Sequence, residues 1–530
     1  MDAVELALFI ARTQAVCDEM GAVLRRTALS PNIKDRLDYS CALFDRSGAL
    51  FAQAAHIPVH LGSMAFAMAD LVRRFDWCAG DVVMLNDPFL GGTHLPDVTV
   101  IAPAFDAEGV LLGFAADRAH HANIGADRPG SMPLSSTLEE EGVLIPPMLL
   151  LREGRLPPEA RRVFYELGAQ ATAQDAVTDW QRDPVLADFA AQVSSARIGA
   201  RLMTELASTA GGPADFRAAI ARLNAWAARL AQSSFAKLPA GRFSAEDALD
   251  GAPGAPIPIA VALSVDHGPK GTTVVVDFTG TAAQQPDSNL NCPLPVAAAA
   301  VFYALRALMP AGTPAVAGAF EAVEIRAPKA CLVNAQRAAA VAAGNVETSM
   351  RVVDAVLRAL ADACPDAIPA AAQGTMNNIA MGQRGAHEWD YYETLAGGHG
   401  GHACGPGLSA RHAHMTNTLN TPVESLETHY PLRIERYALR RGSGGTGVHR
   451  GGDGIERSYR FLESAEVTLL TERRRSGPWG LLGGAEGAPG AQFLNGESIG
   501  GRAELTVKAG DLLMVCTPGG GGWGAAKETD

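Results

Sequence analysis

Two loops concentrate the residue types that bind cations. The first, Asn86-Asp87-Pro88-Phe89-Leu90-Gly91-Gly92-Thr93-His94-Leu95-Pro96-Asp97, follows a strand-like segment. Its Gly and Pro residues let His94 and Asp97, three apart, turn toward one point. A second strand-like segment, Leu111 to Asp117, runs into Arg118-Ala119-His120-His121-Ala122-Asn123. If the two strands are neighbours, their ends bring His120 or His121 beside His94 and Asp97. Ile33-Lys34-Asp35-Arg36-Leu37-Asp38 offers one more carboxylate, Asp35 or Asp38. Two imidazoles and two carboxylates make a mixed N/O set. Such a set suits Zn, Mn, Fe(II) or Co better than Mg or Ca and leaves a coordination position open for water. Adjacent histidines at a strand end more often make structural hydrogen bonds. It is the joint appearance of both loops, each at the end of a strand, that favours a cation.

Other segments carry weaker chemistry. Gly344-Asn345-Val346-Glu347-Thr348-Ser349 feeds a helix, where Ser or Asn serves first as a cap and secondly as an anion site. Asp277-Phe278-Thr279-Gly280-Thr281 ends a strand with a turn. Gly397 to His402 and His412-Ala413-His414 hold four further histidines. His-x-His on a strand puts both rings on one face, so a second metal site is conceivable there. Its competitor is a strand whose polar positions face solvent or a subunit. No G-x-x-x-x-G-K-[ST], G-x-S-x-G or strand-linked G-x-G-x-x-G occurs, so nothing in the chain binds ATP by a known phosphate loop.

The elements that must position these groups are legible in outline. Residues 4 to 28 have apolar positions at helical spacing, stopped by Ser30-Pro31. Tyr39 to Phe44, Val82 to Leu85, Val98 to Ala102 and Val110 to Ala116 read as strands, with a helix over Met64 to Phe75 between them. Ala-rich runs from Ala187 to Ala210 and from Ala214 to Lys237, joined at Gly211-Gly212-Pro213, read as a helical hairpin. Ile257 to Val265 and Thr272 to Phe278 are strands, followed by helices near 295–308 and 347–362. The last hundred residues are Gly-rich and strand-like. The fold class is mixed α/β (α+β): a large multi-layer body with β-rich segments and a central helical hairpin. Two regions are expected, an N-terminal metal-binding one over 1–240 and a β-rich, Gly-rich one over 241–530. Gly is 56 of 530 residues, an excess that tight turns explain before any ligand does.

Bulk properties exclude several classes. Lys plus Arg is 44 against 57 Asp plus Glu, a net charge of -13 that disfavours nucleic acid and anionic membrane. The N-terminus carries Asp2 and Glu5 where a signal peptide needs cations, and no apolar run is long enough to span a bilayer. A cytoplasmic protein is expected. The 8 cysteines contain no C-x-x-C pair, which argues against a thiolate zinc site and a disulfide scaffold.

Taken together, many stretches resemble the hydantoinase B/oxoprolinase family. They are S-P-N-I-K-D-R-L-D-Y-S-C-A-L-F-D (30–45), H-I-P-V-H-L-G-S-M (56–64), N-D-P-F-L-G-G-T-H-L-P-D-V-T-V (86–100), R-A-H-H-A-N-I-G (118–125), P-G-S-M-P (129–133) and E-E-G-V-L-I-P-P (140–147). Further on come G-N-V-E-T-S (344–349), G-T-M-N-N (374–378), H-M-T-N-T-L-N-T-P-V-E-S-L-E (414–427), S-G-G-T-G-V-H-R-G-G-D-G (443–454) and T-P-G-G-G-G-W-G (517–524). The resemblance spans nearly the whole chain. It implies a B subunit of an enzyme that opens cyclic amides such as hydantoins, oxoproline or lactams. A hydantoinase A-type partner subunit would use ATP and Mg to phosphorylate the carbonyl oxygen. One divalent metal ion, Zn or Mn, would sit in this chain on Asp35, His94, Asp97 and His120. His121 and Asp38 are the candidate catalytic residues, His121 for proton transfer and Asp38, with Asp87, for orienting ligands. A heterotetramer of two A and two B subunits is what the resemblance suggests. The same family contains acetone and acetophenone carboxylases, so a subunit of an ATP-dependent ketone carboxylase is an alternative reading. A non-catalytic scaffold for the ATP-binding subunit and a stand-alone metallohydrolase are the others. Where family members often have Asp-Gly after a G-G-x-G motif, this chain has Cys404-Gly405-Pro406-Gly407, with His399 and His402 nearby. That departure points to a different substrate pocket.

Overall fold

The structure, a computed structural model, describes residues 2–526 apart from 55–56, 170–176, 178–179, 181–182, 184, 253–254 and 386–387. Of the family-like motifs, only His56 lies outside the described residues.

The first helix, α1 (Ala3–Thr27), starts at Asp2. The Asp2 side chain accepts from the Val4 and Glu5 amides, and the Glu5 side chain reaches back to the Asp2 amide. Its buried stripe of Phe9, Val16, Met20 and Leu24 follows the predicted spacing. After the short helix α2 (Pro31–Lys34) comes a six-stranded sheet of β1 (Tyr39–Asp45), β2 (Leu50–Gln53), β3 (Val82–Leu85), β4 (Asp97–Phe105), β5 (Leu111–His120) and β6 (Met148–Leu151). The order is β2-β1-β5-β4-β3-β6, with every neighbouring pair antiparallel. Helix α3 (Pro58–Leu71) leaves Met64, Met68 and Leu71 in one apolar cluster with Phe44, Val83, Ile101 and Phe114. Helix α4 (Pro158–Glu166) precedes α5 (Leu186–Thr209), which packs on β4 and β5 and against α1. The sheet is therefore covered on both faces. This explains why β4 is buried along nearly all its length and shows no clean alternation of apolar and polar residues.

Helix α6 (Pro213–Phe235) follows α5 across the Gly211-Gly212 turn, as predicted, and packs on the Ala317–Phe320 turn and the next sheet. That sheet comprises β7 (Gly241–Ala252), β8 (Ala255–Gly268), β9 (Gly271–Asp277) and β10 (Val323–Arg326), in the order β10-β9-β8-β7. Helices α7 (Leu294–Arg306) and α8 (Ser349–Ala363) pack on each other. Helix α7 also meets α3, and α8 lies on β7 and β8. The largest apolar cluster runs without a break from Phe9 in α1 through Ala227, Leu263, Val301 and Val353 to Leu470. The remaining strands are β11 (Asn378–Gln383), β12 (Trp389–Thr394), β13 (Leu432–Arg440), β14 (Gly454–Phe461), β15 (Ala465–Leu470), β16 (Ala491–Leu494), β17 (Glu497–Ile499), β18 (Arg502–Val507) and β19 (Leu512–Cys516), with helix α9 (Val423–His429) between β12 and β13. They form two sheets, β12-β11-β15-β18 and β13-β14-β19-β16-β17, that share one apolar cluster including Met381, Leu469, Tyr459 and Val515.

The glycine excess has a different cause from the one the sequence suggests. In the Gly-rich segments near 397–401, 443–452 and 517–524, main chains pack directly on each other: Gly445 donates its amide to the Gly520 carbonyl at 2.8 Å and Gly401 to that of Gly521 at 2.8 Å. A Cβ on Gly398 would strike the Gly452 carbonyl, and one on Gly520 that of His399. Close approach of backbones, more than turn geometry, demands glycine there. All 8 cysteines are free and 5 are buried, in keeping with small apolar side chains. Among the described residues no helix is long and apolar enough to cross a membrane.

Candidate metal centre

Strand register creates the site. In the β4–β5 ladder Asp97 lies directly opposite His120. In the β1–β5 ladder Tyr39 lies opposite Ala119, so the carbonyl of Asp38 receives the His120 amide at 3.0 Å. The loop before β4 is held shut by its own residues. Asn86 donates to the Leu95 carbonyl at 2.8 Å, and the Asp87 carbonyl accepts from Gly92 at 2.8 Å. Arg118, fully buried, ties the Gly91 carbonyl (2.6 Å) to Ser63 of α3 (2.7 Å) and Thr99 of β4 (2.8 Å). His94 is thereby delivered beside Asp97.

His94 Nε2 lies 3.2 Å and His120 Nδ1 3.3 Å from Asp97 Oδ1. Among the described residues these three form the one group of His, Cys, Asp or Glu side chains whose donor atoms all fall within 4.8 Å of each other. All three are buried. The other oxygen of Asp97, Oδ2, accepts from Thr93 Oγ1 at 2.5 Å, His60 Nε2 at 3.2 Å and Asn345 Nδ2 at 3.4 Å. Ser40 fixes the His60 tautomer. Its hydroxyl takes the Ile57 amide at 3.2 Å and sits 3.1 Å from His60 Nδ1, so its own proton goes to Nδ1 and Nε2 carries hydrogen toward Asp97. His94 donates from Nδ1 to the Ala342 carbonyl at 3.3 Å, which leaves the Nε2 lone pair facing inward. His94 Nε2 and Asp97 Oδ1 are buried and have no hydrogen-bond partner. Buried acceptors left bare in this way cost free energy unless a cation fills the space between them.

The electrostatics agree. Burial pushes the His94 imidazole down, but Asp97 outweighs it and the pKa is raised, so the spot favours positive charge. Asp97 resists ionisation through burial, yet His94 and His60 hold its pKa well below the usual carboxylate range. Burial keeps His120 neutral, as a ligand imidazole must be. A two-imidazole, one-carboxylate set therefore fits a divalent cation of the zinc or manganese kind.

The other predicted residues are placed differently. Asp38 is buried 3.6 Å from the Arg36 guanidinium, and its charge raises the pKa of both His94 and His120. Asp35 is half-buried at the end of α2, where it lines a surface cavity with Asp18, Arg25, Lys34 and Tyr39; it is not among the three groups that converge. His121 points to the opposite side of its strand end, as successive residues of an extended chain do. There it donates to Gln192 of α5 at 2.8 Å and packs on Phe189. Asp87 pairs with Arg337 at 2.5 Å and shapes the loop. The His-rich segment does not form a second cluster among the described residues. His399 donates to the His412 carbonyl at 2.8 Å, His414 lies 3.3 Å from Asp354, and His402 is exposed.

His60, Thr93, Asn345, Glu347, Asn378 and Tyr392 escape a reading of the sequence as site residues. The only signal was that the first five lie in family-like motifs; Tyr392 lies in an ordinary strand. The main chain over Gly344–Thr348 makes a wide, π-helical turn before α8, and this brings Asn345 onto Asp97. A Cβ on Gly344 would run into the Asn291 carbonyl, so the turn can sit there only with glycine. Glu347 on the same turn accepts from Asn378 Nδ2 at 2.7 Å, Asn378 accepts from the Tyr392 hydroxyl at 2.7 Å, and the Tyr392 ring stacks on His120 with centroids 4.8 Å apart.

Burial raises the Glu347 pKa from 4.5 to about 8. The folded protein then holds a proton that the unfolded chain has already lost, so stability falls as pH rises from about 4.5 through about 8. Glu347→Gln copies the protonated form. It is expected to be more stable than wild type at pH 9 by roughly 2–4 kcal/mol, and little different at pH 4. Urea unfolding of both proteins at the two pH values checks this; curves that shift in parallel would rule it out.

The same arrangement of elements occurs in known proteins. The family model for hydantoinase B/oxoprolinase matches residues 2–526. An uncharacterised protein of Methanocaldococcus jannaschii is 37% identical over 549 residues, covering 100% of this chain and 92% of that one. 5-oxoprolinase 1 of Arabidopsis thaliana is 37% identical over 546 residues, covering 99% of this chain, which spans 42% of the plant protein's length. The crystal structure of the ATP-dependent caprolactamase from Pseudomonas jessenii superposes with a TM-score of 0.88 at 25% identity, covering 99% of this chain and 91% of that one. With a match from end to end, the chain belongs to the hydantoinase B/oxoprolinase family.

Proposed function

We propose that this chain is the cation-binding component of an ATP-dependent enzyme that hydrolyses a cyclic amide, acting on a carbonyl that an ATP-binding partner has phosphorylated. The observation that carries this reading is the convergence of His94, Asp97 and His120 with bare, buried lone pairs, in a chain of this family. The partner is supported by length. The plant 5-oxoprolinase is more than twice as long as this chain, whereas the archaeal relative is a separate chain of similar size. A second polypeptide of the hydantoinase A type would then supply the missing ATP-binding part.

His94, Asp97 and His120 would hold the ion, Zn or Mn by donor type. When bound, such an ion supplies Lewis acidity and a water-derived nucleophile near neutral pH. The surrounding residues do the rest. His60, Thr93 and Asn345 saturate Asp97 Oδ2 and keep this carboxylate ionised, so that Oδ1 is free to bind. The Ala342 carbonyl fixes the His94 tautomer. Asp38 adds negative charge that favours a cation without being one of the three converging ligands. An amide resists attack because nitrogen donates into its carbonyl. Phosphorylation of the carbonyl oxygen removes that resonance and provides a leaving group, which is why ATP is needed.

The test is co-expression with a hydantoinase A-type chain and measurement of ADP release against 5-oxoproline, hydantoins and caprolactam. Ring opening that needs ATP, partner and metal together is the expected result. Turnover without ATP or partner would sink the reading in favour of a lone metallohydrolase, and ketone-dependent bicarbonate fixation would replace it by a carboxylase.

A further inference from the structure

We infer that Tyr392 is a positioning residue for His120, setting the plane of that imidazole by ring stacking where a hydrogen bond would ordinarily do so. The inference rests on the reading of His94, Asp97 and His120 as cation ligands. A ligand imidazole is usually oriented by a hydrogen bond to its second nitrogen, and loss of that partner typically costs about 10–100-fold in metal affinity. His94 follows the rule through the Ala342 carbonyl at 3.3 Å. His120 does not. Its Nδ1 faces Asp97 at 3.3 Å, and its Nε2 is buried without any hydrogen-bond partner. Nothing polar therefore stops the ring from turning about its Cβ–Cγ bond.

What stops it is a flat surface. The rings of His120 and Tyr392 are 4.8 Å apart between centroids and only 8° from parallel. Rotation of His120 would drive its edge into the tyrosine. The tyrosine itself cannot yield. It is buried in β12, its hydroxyl donates to Asn378 at 2.7 Å, and the Arg36 guanidinium carbon lies 4.7 Å from the centre of its ring. Asn378 is gripped in turn by Glu347 at 2.7 Å and the Leu470 carbonyl at 2.8 Å. Residue 392 thus ties the geometry of the cation site in the first sheet to the third sheet, 272 positions away from His120 in the chain by subtraction of the two residue numbers.

The experiment uses the full-length chain stripped of metal and reloaded with cobalt(II). Affinity is read by chelator competition and ligand geometry by the visible absorption of the ion. Tyr392→Phe keeps the flat ring and is expected to stay within about threefold of wild type, with the same spectrum. Tyr392→Leu removes it and is expected to weaken cobalt roughly 10- to 100-fold and to alter the spectrum. Tyr392→Met, which fills space without a flat face, is scored in the same way if the leucine variant fails to fold. Unchanged affinity and spectrum in the folded Leu or Met variant overturns the proposal, as does a Phe variant as impaired as Leu. Wild type that takes up no cobalt removes the cation site itself, and that failure is distinct from the other two.

Discussion

Asp97→Asn is expected to strip the bound cation and to lower ATP-dependent turnover of the reconstituted complex by roughly 10²- to 10³-fold, as loss of several kcal/mol of metal-derived stabilisation requires. The substitution changes almost no volume, and Thr93, His60 and Asn345 still surround the side chain. What it removes is the negative charge that raises the His94 pKa and the Oδ1 lone pair between the two imidazoles. Elemental analysis beside the ADP-release assay measures both effects. Asp277→Asn, in an exposed turn where the carboxylate only accepts from Thr279, is the control and should change neither. An Asp97→Asn variant that retains stoichiometric metal and full turnover would remove the basis for a catalytic cation. It would leave only a scaffold for the ATP-binding subunit.

The second large effect is on stability. Arg473 is buried between two carboxylates, Asp247 at 2.7 Å and Asp354 at 2.9 Å, and His414 lies 3.3 Å from Asp354 on its other side. Asp354→Ala leaves Arg473 short of a partner in a site closed to water. Breaking a buried pair from one side typically costs about 3–5 kcal/mol, and this loss is expected in chemical unfolding. Burial alone would raise the Asp354 pKa, but His414 and Arg473 hold it below the usual value of 3.8. A depressed carboxylate contributes stability above its unfolded pKa, and that share disappears as acid takes the pH down through the folded pKa. The gap between wild type and Asp354→Ala should therefore be full at pH 7 and narrow below about pH 4. A variant within about 1 kcal/mol of wild type at pH 7, close to what a surface substitution costs, would mean that the network is not worth what its burial implies.

The two routes to Asp97 show where local sequence stops being informative. His94 and Asp97 are three residues apart in a loop whose Gly and Pro residues announce a turn, so their convergence could be read directly. His120 required one more step, the pairing of β4 with β5, and the sequence offered both His120 and His121. Which of them faces Asp97 is a matter of register, and a slip of one residue would exchange them. The Asp97–His120 pairing decides for His120 and sends His121 to Gln192 of α5. Asp35 and Asp38 present the same difficulty. The charge that acts on His94 and His120 is that of Asp38, because the chain enters β1 beside the end of β5, whereas Asp35 stays in the surface cavity beside α2.

Residue order alone was enough for the mixed α/β class, most of the helices and strands, the family, and two of the three converging ligands. Those features are written in short-range patterns: apolar period, Gly and Pro punctuation, and dense local motifs. Folding was needed to show that His60, Asn345 and Tyr392 belong to the site, since they arrive from α3, the turn before α8 and β12. It was needed also to show that the glycines of the last hundred residues serve the contact of one main chain with another. A hydrogen bond, a ring stack or a backbone contact between residues far apart in the chain depends on packing of the whole core, and no local pattern of residues encodes it.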